Sequence, residues 1–114
     1  MTIESTSPRG YAGTQPSRAE IDALDGLAVI DFGTDWCGIC RGARPAIEEA
    51  LAQYPDVRHI RVEDGPGRAL GRSFRVKLWP TLIFLRQGRE VERVVRPAGA
   101  GNVAAALARL EEAA

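Results

Sequence analysis

Leu27-Ala-Val-Ile-Asp-Phe-Gly33, Thr34-Asp-Trp36 and Cys37-Gly-Ile-Cys40 form one continuous stretch, and its reading decides the fold. The first part is a short, mostly apolar run, the pattern of a strand buried on both faces of a sheet. Asp31 interrupts that run. A loop follows, and then two cysteines. From Arg41 onward Ala43, Ile47, Leu51 and Tyr54 recur at helical spacing, so the cysteines sit at the start of a helix. Pro45 lies inside that helix and is expected to kink it. Pro55-Asp56 ends it.

The rest of the chain arranges itself around this unit. Upstream, residues 1–16 are rich in Ser, Thr, Gly and Pro without periodicity and read as a flexible tail, leaving 17–114 as one domain. Ser17 and Glu20 have the spacing of a capping box at the head of a short helix. Downstream, Val57–Val62 is β-rich and is followed by the turn cluster Asp64-Gly-Pro-Gly67. Residues 68–74 suit a short helix. Thr81–Leu85, the Gln87-Gly88 turn and Glu90–Val95 read as a β-hairpin. Asn102–Glu112 is amphipathic, with Val103, Ala106, Leu107 and Leu110 on one stripe. A strand-helix-strand unit followed by a hairpin and a helix implies an α/β fold. Its mixed sheet has about four strands, with a fifth N-terminal strand as a further option, and helices on both faces.

Composition excludes several function classes. The chain has 114 residues, a formal net charge of zero, 2 cysteines and 1 histidine. That size fits one domain with a core of its own. The cysteine count excludes a disulfide-rich scaffold, and with a single histidine it leaves no metal site of four Cys/His ligands. Zero net charge argues against whole-domain nucleic-acid binding. No apolar run is long enough for a membrane span. The N-terminal stretch lacks a basic start followed by an apolar core, so the expected location is the cytoplasm.

Cys37 and Cys40 are the only cysteines, spaced by three. On a helix that spacing separates Cβ atoms by about 5–6 Å, close to what a disulfide spans. The helix N-terminus favours thiolate at Cys37, the attacking species in disulfide exchange. Cys37 is therefore the nucleophile, and Cys40, one turn deeper, resolves the mixed disulfide. Two unrelated buried cysteines and half of an intersubunit metal site are the competing readings.

Val29-Ile-Asp-Phe-Gly-Thr-Asp-Trp-Cys-Gly-Ile-Cys40, with Pro45, Trp79-Pro80-Thr81 and Gln87-Gly88, resembles the thioredoxin family from Leu27 to the C-terminus. The resemblance implies a thioredoxin-like fold and a redox pair at Cys37 and Cys40. It implies a cis bond before Pro80, which packs beside the pair, and a backbone at Trp79 that pairs with extended substrate. Trp36, Gly38 and Ile39 belong to the same substrate surface. A carboxyl buried in a strand loses solvation, which favours its neutral form. The family's matching aspartate serves the second cysteine as general base through a water, and that role falls to Asp31. Arg61 stands roughly where the family carries a lysine beside that aspartate, and an arginine there brings a permanent positive charge. His59 reads as a satisfied or exposed side chain in a distant strand.

Four positions depart from the family pattern. Ile39 replaces a proline, which leaves the reduction potential open and suggests a more oxidising couple. Gly33 stands where a second tryptophan is common, Trp79 is bulkier than usual, and a glycine is missing near Arg96-Pro97. The expected activity is a protein-disulfide reductase with no bound cofactor and no metal. It would act as a monomer on protein disulfides and be recycled by a thioredoxin-reductase-type donor. The alternatives are a disulfide oxidase or isomerase, a partner-dedicated reductase, and a non-catalytic interaction module.

Overall fold

The computed structural model describes Tyr11 and residues 14–112. The elements in chain order are α1 (Arg18–Asp22), β1 (Leu27–Gly33), α2 (Gly38–Leu51), β2 (Arg58–Glu63), α3 (Ala69–Ser73), β3 (Thr81–Arg86), β4 (Arg89–Val95) and α4 (Ala100–Glu112). The strands form one mixed sheet in the order β2-β1-β3-β4. β1 pairs with β2 in parallel, through the α2 crossover, and with β3 antiparallel. β3 and β4 make the expected hairpin, with a register shift between Phe84 and Leu85.

Side-chain alternation along β1 divides the core into two layers. On one face Val29, Leu82 and Phe84 pack against Ile47, Ala50 and Leu51 of α2 and Val103, Ala106, Leu107 and Leu110 of α4. On the other, Ala28, Ile30, Phe32, Ile60, Val62, Ile83 and Leu85 meet Ile21 of α1, Leu70 of α3 and the adjoining Phe74. Helices thus cover both faces, and β1, flanked by β2 and β3, is buried along almost its whole length.

The local signals have visible causes. At the head of α1 the Ser17 hydroxyl accepts from the Glu20 amide at 3.1 Å while the Glu20 carboxylate accepts from the Ser17 amide at 3.0 Å. α2 begins at Gly38, three residues before its apolar periodicity does, because the Cys37 side chain caps it. Pro45 lies within α2, which continues through it. Gly88 takes φ +77°, and a Cβ there would stand 2.2 Å from the Asp22 carbonyl oxygen. The hairpin turn therefore packs directly on the end of α1.

Most of the expected tail, 1–16, lies outside the described residues. Where it is described, it belongs to the packed domain. Tyr11 is 7% exposed, and the Gln15 side chain accepts from the Leu70 amide at 2.9 Å. Composition misled here because single side chains anchor this segment and no periodic face does. Any fifth strand in the first ten residues also falls outside the described residues.

Leu107 is fully buried between α4 and the sheet. Leu107→Ala is expected to lower unfolding free energy by roughly 2–5 kcal/mol, measured as a reduced urea midpoint at unchanged slope.

Candidate active site

The junction between β1 and α2 places the two cysteines. Cys37 is the N-cap of α2, with extended backbone, and its Sγ accepts from the Cys40 amide at 3.2 Å. That amide would otherwise be an orphan donor of the first helical turn. An amide and the positive end of a helix therefore both face this sulfur. Cys37 is partly exposed, both thiols are free, and Cys40 has no solvent exposure. The two sulfurs are in side-chain hydrogen-bond contact. Burial, and then the contact with Cys37, push the Cys40 thiol up to about 12, against hydrogen bonds with the Thr34 backbone and the Tyr11 hydroxyl. At neutral pH Cys40 is thus a thiol by a wide margin, and it needs a proton acceptor before it can attack.

β1 turns a carboxyl toward the same side of the sheet. Asp31 is 1% exposed. Alternation turns it to the same side as Val29, toward α2. Its Oδ1 accepts from the Tyr11 hydroxyl at 2.8 Å. Its Oδ2 lies 3.8 Å from Arg61 Nε and 3.9 Å from His59 Nε2. Arg61 faces Asp31 in the β1–β2 register and also donates to Glu48 of α2 at 2.8 Å. The carboxyl is desolvated, as its place in β1 implied, and it also has partners on both oxygens. His59 needs correcting: its strand is the direct neighbour of β1, and its ring approaches Asp31.

The surface around Cys37 is apolar and open. Trp36 is 72% exposed and meets Trp79 edge-on, with ring centroids 5.6 Å apart. That contact brings the Pro80 loop beside the Cys37 loop. The Trp79-Pro80 bond is cis, as expected. Gly38 has open space where a Cβ would stand, and Ile39 and Leu78 are both exposed. Trp79 donates its indole N–H to Asp64 Oδ2 at 2.9 Å, which fixes its ring.

Sequence reasoning missed two residues. Arg96 occupies the missing-glycine position, with φ +49°, in the left-handed region that favours glycine. Its guanidinium donates to the Trp79 carbonyl at 2.8 Å and covers it. The gap noted near Arg96-Pro97 was the available signal. Tyr11 is the second, and its signal was the empty place at Gly33. A Cβ on Gly33 would stand 2.7 Å from Cys40 Sγ and 2.7 Å from Tyr11 Cζ and Oη.

The comparisons agree with this geometry. The family model described as Thioredoxin matches residues 14–109. This chain belongs to the thioredoxin family. Among relatives, Thioredoxin H8 of Arabidopsis thaliana is 35% identical over 69 residues, covering 60% of this chain and 47% of that protein. Thioredoxin-2 of Saccharomyces cerevisiae is 38% identical over 71 residues, covering 62% of this chain and 68% of that protein. The chain therefore spans about half the length of the first relative and two thirds of the second. Among solved structures, thioredoxin 2 from Pseudomonas aeruginosa PAO1 in its reduced form superposes with a TM-score of 0.83 at 52% identity. That match covers 92% of this chain and 97% of the other. The thioredoxin fold is thus shared along nearly the whole chain.

The unequal cysteines give a direct expectation. Iodoacetamide at neutral pH should alkylate the reduced native protein once, at Cys37, with Cys40 modified only after unfolding. Peptide mass spectrometry checks this, and equal modification of both thiols in the native state would contradict it.

Proposed function

We propose that this chain is a thiol–disulfide oxidoreductase that reduces protein disulfides through its Cys-Gly-Ile-Cys couple. One observation carries the reading. An accessible sulfur caps α2 and receives a backbone N–H, while a buried sulfur three residues on lies in contact with it. In this reading Cys37, as thiolate, attacks a substrate disulfide and releases one substrate thiolate. Cys40 then loses its proton and attacks Cys37 Sγ of the mixed disulfide. The second substrate thiolate leaves, and Cys37–Cys40 becomes the disulfide. Two electrons pass from the couple to the substrate, so no resident cofactor is required.

The other residues take roles around that exchange. Asp31 accepts the proton of Cys40, and Arg61 holds the carboxyl from the far side. Trp36, Gly38, Ile39, Trp79 and Pro80 form the surface on which an extended substrate segment lies. An external dithiol donor, of the thioredoxin-reductase type, restores the reduced form. The protein would work as a monomer in the cytoplasm, with selectivity set by this local surface.

A second reading, a reductase dedicated to one partner, is favoured by Arg96. Its guanidinium sits on the Trp79 carbonyl, where an extended substrate would pair, so a productive partner must displace or use it. The oxidase or isomerase reading rests on the Gly38-Ile39 pair and Trp79, and the non-catalytic module has no observation in its favour.

Insulin-disulfide reduction driven by dithiothreitol tests the activity. Wild type should precipitate insulin well ahead of the uncatalysed reaction, and Cys37→Ser should fall to the uncatalysed rate. Wild-type rates no better than Cys37→Ser would sink the proposal.

A further inference from the structure

Tyr11 stands between the two groups that must exchange a proton. Its hydroxyl donates to Asp31 Oδ1 at 2.8 Å on one side and faces the Cys40 thiol across the space above Gly33 on the other. A single point above Gly33 is 2.7 Å from both Cys40 Sγ and Tyr11 Oη. Gly33 shares the α2-facing parity of Asp31, and its missing side chain makes the room that the Tyr11 ring fills.

The tyrosine is held there by more than this contact. Its backbone N–H donates to Asp35 Oδ1 at 3.2 Å, and the Arg44 guanidinium lies over its ring, 5.6 Å from the centroid. Arg44 and Asp35 are themselves paired at 3.3 Å. These anchors fix the ring independently of the Asp31 hydrogen bond.

We propose that the Tyr11 hydroxyl is the proton relay between Cys40 and Asp31, a catalytic group supplied by the segment preceding α1. The idea rests on the dithiol chemistry proposed above. A hydroxyl has one hydrogen to donate and lone pairs to accept. The Tyr11 hydrogen points to Asp31 Oδ1, which leaves a lone pair for the Cys40 S–H once Cys37 is tied up in the mixed disulfide. In the mixed disulfide the wire then runs from thiol to carboxylate. As Cys40 attacks Cys37 Sγ, its proton moves to Tyr11 Oη and the Tyr11 proton moves to Asp31 Oδ1. The Cys37–substrate S–S bond breaks, the Cys37–Cys40 bond forms, and the substrate leaves as thiolate. Tyr11 stays neutral throughout, in keeping with a phenol whose ionisation is raised well above its ordinary range by burial and by the Asp31 charge. Before the S–S bond closes, the same hydroxyl can turn its new hydrogen toward the thiolate. The other titratable groups around this line are Arg61 and His59 on Asp31 Oδ2, Asp35 and Arg44 on the Tyr11 backbone and ring, and Cys37 itself.

Stopped-flow reaction of the reduced protein with dithiobis(nitrobenzoate) separates the steps. Attack by Cys37 releases the first nitrothiobenzoate, and attack by Cys40 on the mixed disulfide releases the second. In Tyr11→Phe, which keeps the ring, the first phase should match wild type. The second should slow about tenfold or more near neutral pH, with the deficit shrinking in alkali as hydroxide takes the proton. Asp31→Asn should slow the same phase, and the double variant should be no slower than the slower single one. A second phase in Tyr11→Phe that follows wild type across pH overturns the relay. Equal slowing of both phases, or multiplying effects in the double variant, overturns it too. A wild-type protein that never releases the second equivalent would instead refute the underlying dithiol reading.

Discussion

Alternation along β1 governs everything built above it. One set of its side chains, Ala28, Ile30 and Phe32, seals the layer under α1 and α3. The other set, Val29, Asp31 and Gly33, turns toward α2. A strand between two others must bury both faces, so a carboxylate placed in the second set is buried regardless of what it does there. The cost of that burial is offset by the Tyr11 hydrogen bond on Oδ1 and the Arg61 guanidinium beside Oδ2. Gly33, at the end of the same row, leaves a hollow between β1 and α2 in which the Tyr11 phenol and the Cys40 thiol meet.

The contrast between the two cysteines follows from that arrangement. Cys37 caps α2 from outside it, whereas Cys40 lies in the first turn and points down to the β1 row. One sulfur receives an amide and keeps access to solvent. The other receives desolvation, which holds its proton. In the proposed couple, environment separates attack from resolution between two identical chemical groups. The separation demands a proton path for the buried member, and Asp31 lies on the same row of β1.

Much of this was legible in the chain. β1 announced itself by an apolar run with one carboxyl, α2 and α4 by their spacing, and the hairpin by Gln87-Gly88. The short helix α1 was visible because its capping box is a local signal, independent of tertiary contacts. Cys37, Cys40, Asp31 and the Trp79-Pro80 loop were recognisable from spacing and family likeness together, and Arg61 fell opposite Asp31 once β2 was in register. Tyr11 left only an indirect trace, the gap at Gly33. It lies in a Ser- and Gly-rich segment without periodicity, and its partner is 20 residues away in sequence. Arg96 was half legible, as the position of a missing glycine, but the reach of its side chain to the Trp79 carbonyl depends on the turn that the hairpin makes. His59 was misplaced because the β1–β2 pairing that set Arg61 opposite Asp31 was not carried two residues back along the same strand.

The central claim is that Cys37 and Cys40 act as one reversible two-electron couple. Its most direct test is equilibration in glutathione buffers of graded ratio, followed by acid quenching and intact-mass measurement. The account predicts a single transition from the dithiol to the intramolecular disulfide, with Cys37–glutathione adducts only transient. Stable mixed disulfides across the series, or two thiols that oxidise independently, would contradict it.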